Sequence, residues 1–251
     1  MNSIRKTRKT SGGRLLVCGL LALTSIGLPS MAVAVPIIID SFSDTQSLST
    51  AGTTSSGVAA PGAIGGNRFA AITKVSGTGT DTLGINVPNP GLLAFSTAAA
   101  DMASFRLLWD GGTDATNSFG LNGGAGVDLT AGGTNTFIRF AIESDLVVAN
   151  NGVLNLFTSA GNFSTATFSS PGGGATINVT IPFASFLPTG TGANFALIRS
   201  AELLYTGSSQ LDMQLDFLEA SGTPTPEPTS LILLGGGLVG LVVLSRRLAK
   251  R

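Results

Sequence analysis

Gln210-Leu211-Asp212-Met213-Gln214-Leu215-Asp216-Phe217 alternates polar and apolar residues without a break. Successive side chains of an extended chain point to opposite faces, so period two with one polar face marks a half-buried strand. The same alternation places Ile177, Val179 and Ile181, then Ile138, Phe140 and Ile142, then Phe105, Leu107 and Trp109, each on one face. Further strand candidates are 37–42, 69–75, 82–87, 92–96, 153–159, 165–168 and 195–206. Gly111-Gly112, Gly123-Gly124, Gly132-Gly133, Asn150-Asn151-Gly152 and Gly172-Gly173-Gly174 read as the turns between them. Thr45–Gly66, rich in Ser, Thr, Gly and Ala, reads as a long loop. No long amphipathic helix interrupts the pattern. About ten or eleven short strands predict an all-β fold, a two-sheet sandwich of jelly-roll type. There is no internal linker and no repeat of fixed period, so residues 35–222 read as one domain.

Composition removes whole classes of chemistry. The 251 residues contain no His, and the one Cys is Cys18, outside the β body. A His general base, a His-containing zinc site and a Cys nucleophile have no raw material there. Net charge is zero, yet the charges are segregated. All 14 acidic residues lie between Asp40 and Glu227, where only Arg68, Lys74, Arg106, Arg139 and Arg199 oppose them, for a net −9. Such a body has no electrostatic attraction to nucleic acid or anionic lipid.

The two ends read as address signals. Arg5, Lys6, Arg8, Lys9 and Arg14 precede an apolar stretch from Leu15 to Leu28, and Ala32-Val33-Ala34 follows. A basic start, a short apolar helix and a small-x-small site predict a secretory signal peptide over 1–34, cut by signal peptidase after Ala34. At the other end Pro226-Glu227-Pro228 precedes an apolar run from Leu231 to Leu244. Arg246, Arg247, Lys250 and Arg251 close the chain. Residues 223–251 thus predict a proline-stiffened spacer, a transmembrane helix and a basic tail that stays cytoplasmic. The run would span about 21 Å as a helix, against a hydrocarbon core of roughly 30 Å. It also contains Gly235-Gly236-Gly237, and so suits a transient anchor in the inner membrane.

The run Pro226-Glu227-Pro228, an apolar segment and Arg246-Arg247 resembles the PEP-CTERM sorting signal of Gram-negative bacteria. The resemblance implies recognition by exosortase, removal of the tail, and association with exopolysaccharide and biofilm matrix. The body resembles uncharacterised jelly-roll domains found ahead of that signal, through Ile39-Asp40-Ser41-Phe42, Gly126–Thr130, Ile181-Pro182-Phe183 and Leu215-Asp216-Phe217. Similar sandwiches occur in carbohydrate-binding modules.

Candidate chemistry in the body is sparse. Asp40 flanks the first strand, and Asp216 and Glu219 lie on the last, where some sandwiches hold a structural calcium ion. Asp110, Asp114 and Asn117 form an oxygen-rich loop, and turn acids of that kind also satisfy local backbone groups. Gly123–Asp128 matches the start of a calcium-binding nonapeptide, but Thr130 replaces its large apolar residue and the single copy lacks the neighbouring turns that would complete a site. Glu143 and Asp145 share a strand face, which period two alone explains. No Gly-x-Ser-x-Gly elbow or phosphate loop occurs. All 14 Phe fall in the body, with one Trp and one Tyr, a set suited to core filling. The reading is an exported, non-enzymatic surface or matrix protein with a structural or adhesive role in exopolysaccharide. The alternative is a carbohydrate-binding module, with calcium as the one cofactor the acids allow. An exposed Trp109 or Tyr205 beside acids would favour binding, and a deep cleft with two facing carboxylates would favour hydrolysis.

Overall fold

A computed structural model of the chain describes residues 34–223. The predicted signal helix and transmembrane helix fall outside the described residues, as do Ala32, Pro226, Glu227, Pro228, Arg246, Arg247, Lys250 and Arg251. Within the described residues no helix is long and apolar enough to cross a membrane.

The described residues form fourteen strands: β1 (Ile37–Asp40), β2 (Gln46–Thr50), β3 (Thr53–Ala59), β4 (Asn67–Ser76), β5 (Asp81–Ile85), β6 (Leu92–Ser96), β7 (Met102–Trp109), β8 (Phe137–Ser144), β9 (Val147–Ser159), β10 (Asn162–Pro171), β11 (Ile177–Pro182), β12 (Leu187–Thr189), β13 (Ser200–Gly207) and β14 (Asp212–Ser221). They make two seven-stranded sheets. Sheet A runs β11-β8-β14-β6-β5-β2, with β1 also on β14, and sheet B runs β12-β10-β9-β13-β7-β4-β3. All the pairings are antiparallel. The last two strands, β13 and β14, each enter the middle of a sheet between earlier strands. That insertion is the Greek-key crossover of a jelly-roll sandwich.

The alternation in sequence places the core between the sheets. Phe140 and Ile142 of sheet A and Leu154, Leu203 and Phe105 of sheet B are all buried in one cluster. Aromatic rings join the layers: Phe95 meets Phe105 edge-on at 5.1 Å, and Phe140 meets Phe168 at 4.7 Å. Offset and edge-on ring pairs of this kind add about 0.5–1.5 kcal/mol beyond the area they bury.

Several expectations are corrected. Thr45–Gly66 is not a loop, since most of it forms β2 and β3. Gln46, Leu48 and Thr50 are buried while Ser47 and Ser49 face solvent, a strand pattern written partly in polar residues. Asn150-Asn151-Gly152 is not a turn but lies inside β9. A Cβ on Gly152 would stand 2.2 Å from Cζ of Phe168, so the bare backbone is what lets that ring lie across the strand. The region 195–206 becomes strand only from Ser200.

Phe217 does not continue the inward row of Leu211, Met213 and Leu215. A bulge between Asp216 and Glu219, with Phe217 at φ 29°, turns its ring outward beneath the Arg139 guanidinium, 5.5 Å away. Leu218 and Ala220 take the inward positions instead.

Candidate functional site

The outer face of sheet A is built from the polar half of the same alternation. Register places Glu143 beside Gln214, Gln214 beside Ala94, Ala94 beside Gly84, and Gly84 beside Ser47. A second row runs through Asp212, Ser96, Thr82 and Ser49. The first row crosses five strands, and at about 4.8 Å per strand it is about 19 Å long. Small residues at Ala94 and Gly84 keep its floor low. The β5–β6 connection folds back over the face, because a Cβ on Gly84 would lie 2.3 Å from the Val87 carbonyl oxygen. The result is an open groove of about 550 Å³ with Val87 and Pro88 on one side and Asp145 and Gly174 on the other.

The groove is acidic. Glu143, Asp145 and Asp212 line it, and no Lys or Arg does. Two of the carboxylates are held in place. Glu143 Oε2 accepts from the Thr176 hydroxyl at 2.7 Å, and Asp145 Oδ1 accepts from the Asp212 amide at 2.9 Å. The shared face read from the sequence for Glu143 and Asp145 therefore becomes a shared groove, although Asp145 sits just past the end of β8. Carbonyl, hydroxyl and carboxylate acceptors in one open channel suit a partner rich in hydroxyl donors. They repel polyanions.

The three calcium candidates are not brought together as one ligand set. Asp40 is wholly buried and fully engaged. Its Oδ2 accepts from Arg68 Nη1 and Trp109 Nε1, each at 2.8 Å, and its Oδ1 accepts from the Phe42 amide at 2.7 Å. Burial pushes its carboxyl up, against the pull of the Arg68 guanidinium. Glu219 pairs with Arg139 at 2.6 Å, and Asp216 is exposed. Glu219 and Asp216 are on the outer side of β14, whereas Asp40 reaches into the interior. Among the described residues no group of three acids is placed to hold a metal ion.

The remaining candidates serve their own turns. Asp110 Oδ2 accepts from the Ser118 amide and hydroxyl at 2.6 and 2.8 Å, and Oδ1 from the Gly112 amide at 2.9 Å. Asp114 and Asn117 accept from the Thr116 and Phe119 amides. Asp128 accepts from the Thr130 amide and hydroxyl and from the Gly132 amide. The Thr130 hydroxyl and these amides hold its carboxyl below the usual range, against a smaller desolvation cost. Neither discriminating aromatic is exposed: Trp109 is 0% and Tyr205 1% accessible. Burial pushes the Tyr205 hydroxyl up as well. The groove is open rather than a deep cleft.

A family model described as the PEP-CTERM protein-sorting motif matches residues 224–247. The motif marks an exported protein with a C-terminal membrane-anchoring sorting signal and implies processing by exosortase. No curated protein matches the chain. Among solved structures, a family 11 carbohydrate-binding module from Clostridium thermocellum is 14% identical, with a TM-score of 0.41, covering 78% of this chain and 100% of its own. A family 29 carbohydrate-binding module is 10% identical, with a TM-score of 0.35, covering 80% and 99%. The agarase AgWH50C is 10% identical, with a TM-score of 0.36, covering 62% of this chain and 23% of its own. Superpositions as loose as these assign neither ligand nor surface.

Proposed function

We propose that this is a non-enzymatic cell-surface or extracellular-matrix protein of a Gram-negative bacterium. Signal peptidase removes its leader, the tail holds it briefly in the inner membrane, and exosortase removes the tail. The body then adheres to exopolysaccharide through the groove of sheet A. The observation that supports this reading most is the groove itself: two registered rows, one crossing five strands and the other four, in an open channel with small residues on the floor. The acidic lining selects uncharged or amine-bearing polysaccharide over polyanions.

Filling the groove tests the reading. Ala94→Trp puts an indole on the groove floor between Gln214 and Gly84. In native gels cast with neutral polysaccharide, the secreted protein is expected to be retarded and the Ala94→Trp protein to be retarded less. Equal retardation of both at equal melting temperature would remove the groove from the account.

A further inference from the structure

The outer face of sheet B carries a second arrangement that neither the core nor the sheet A groove uses. Register places Phe163 of β10 beside Phe157 of β9, with ring centroids 5.1 Å apart. Phe119, from the loop after β7, closes on Phe157 at 5.9 Å. All three rings are only half-buried, and Leu187 on the neighbouring β12 is 73% exposed.

The next row along the strands is polar and already bonded. The Thr165 hydroxyl donates to Asn155 Oδ1 at 2.7 Å, and Asn155 Nδ2 donates to Glu202 Oε2 at 3.0 Å. Arg106 Nε donates to Glu202 Oε1 at 2.6 Å, and Arg106 Nη1 to the Ala115 carbonyl at 2.8 Å. Past Arg106 the face opens into a shallow groove of about 360 Å³ over Ala71, Thr73, Ser104 and Thr206.

Two properties point to the occupant. First, the row is closed in charge. The Glu202 carboxylate and the Arg106 guanidinium cancel, within a stretch from Asp40 to Glu227 whose net charge is −9. Such a face offers a polyion no attraction, and the body repels polyanions. Second, half-buried rings adjoin fixed donors and acceptors. A pyranose presents C–H groups on one side and hydroxyls around its rim, so it covers the rings and meets the row at once. A row whose members are already held by one another needs no reordering on binding.

We propose that this face is a second polysaccharide-contacting surface, specific for uncharged polymer. One body would then hold two strands on opposite sides of the sandwich. The cross-linking half of the proposal rests on the groove reading above; binding at Phe157 and Phe163 does not. Two sites that cannot reach the same strand segment bridge separate strands, and avidity follows from their number.

The test uses the secreted protein with mixed-linkage β-glucan and galactomannan, both uncharged, and alginate as the polyanion. Retardation in affinity gels and the viscosity of the polymer solution are read together. The double variant Phe157→Ala/Phe163→Ala is expected to bind a neutral polymer roughly tenfold more weakly, the effect of losing a central aromatic contact. It is also expected to abolish the viscosity increase. Thr165→Val keeps the shape and removes one hydroxyl of the row, so it tests the face without hollowing it. It is expected to weaken retention severalfold at an unchanged melting temperature. Ala94→Trp, on the other face, is expected to abolish the viscosity increase while leaving retention at Phe157 and Phe163.

Unchanged retention and viscosity in both sheet B variants overturns the second surface and leaves the groove standing. Loss of retention in the sheet B variants alone supports the second surface and removes the groove. If Phe157→Ala/Phe163→Ala instead dissociates a dimer and leaves polymer retention intact, the occupant is a second copy of the chain and the proposal falls. Stronger retention by alginate than by neutral polymer also overturns it.

Discussion

Arg68 and Asp40 meet at 2.8 Å with neither side chain reachable by solvent. Asp40 ends β1 of sheet A, and Arg68 lies on β4 of sheet B. The pair therefore ties the two layers together. Trp109 of sheet B donates to the same carboxylate, and Arg68 also donates to Gln46 Oε1 at 2.9 Å and to the Asp44 carbonyl at 2.7 Å. Removing one partner leaves the other buried and uncompensated. Arg68→Ala is expected to destabilise the protein by about 3–5 kcal/mol in denaturant unfolding. A loss under about 1 kcal/mol would mean that the cluster is not closed as described.

The same cluster bears on calcium. Both Asp40 oxygens are already taken by protein donors. A chelator is therefore expected to leave the melting temperature of the secreted protein unchanged. A drop of several degrees on chelation, reversed by added calcium, would contradict that expectation.

Gly152 distinguishes the structure from a turn-based reading of its sequence. In an exposed turn, Gly152→Ala would be mild. Inside β9 the new methyl group meets the Phe168 ring at 2.2–2.5 Å. The substitution is expected to cost about 1–3 kcal/mol, the usual effect of overpacking. The combination Gly152→Ala/Phe168→Leu is expected to lose less than the two single changes summed, because the colliding ring is gone.

Acid stability follows from two carboxyls. The Lys74 ammonium holds Asp101 below its ordinary 3.8, against a smaller desolvation cost, and the Thr130 hydroxyl does the same for Asp128. Both bind protons less readily folded than unfolded. The stability they contribute is present above 3.8 and is lost as pH falls through their lowered values. Asp40 works in the opposite sense, since its folded value is raised. The melting temperature is expected to fall below pH 3.8, and Asp128→Asn to flatten that fall. An unchanged acid slope in Asp128→Asn would refute the assignment.

Processing is tested in the native host. Replacing Pro226 and Glu227 together by Ala is expected to leave a larger, membrane-retained precursor, because exosortase no longer finds its motif. Unchanged mass and location would count against recognition at these residues.

The fold was legible where apolar residues alternate. Ile138, Phe140 and Ile142, and Met213 and Leu215, face inward as their spacing requires. The signal failed where strands use Ser and Thr, as in β2 and β3, because backbone pairing does not demand an apolar side chain there. It failed again at Phe217, where one bulged residue reverses the alternation. The Arg68–Asp40–Trp109 cluster joins residues 28 and 69 positions from Asp40, separations with no local trace. The Phe set looked like core alone, yet Phe157 and Phe163 occupy an outer face. Period two shows that residues share a side, and only the pairing of strands shows which side is outside. The groove was invisible for the same reason: Glu143, Gln214, Ala94 and Gly84 become neighbours only through sheet order.

The most direct test of the central claim is the mobility of the secreted wild-type protein in native gels cast with and without neutral matrix polysaccharide. The account predicts retardation that rises with polymer concentration and is absent with alginate. Equal mobility in every gel would contradict it.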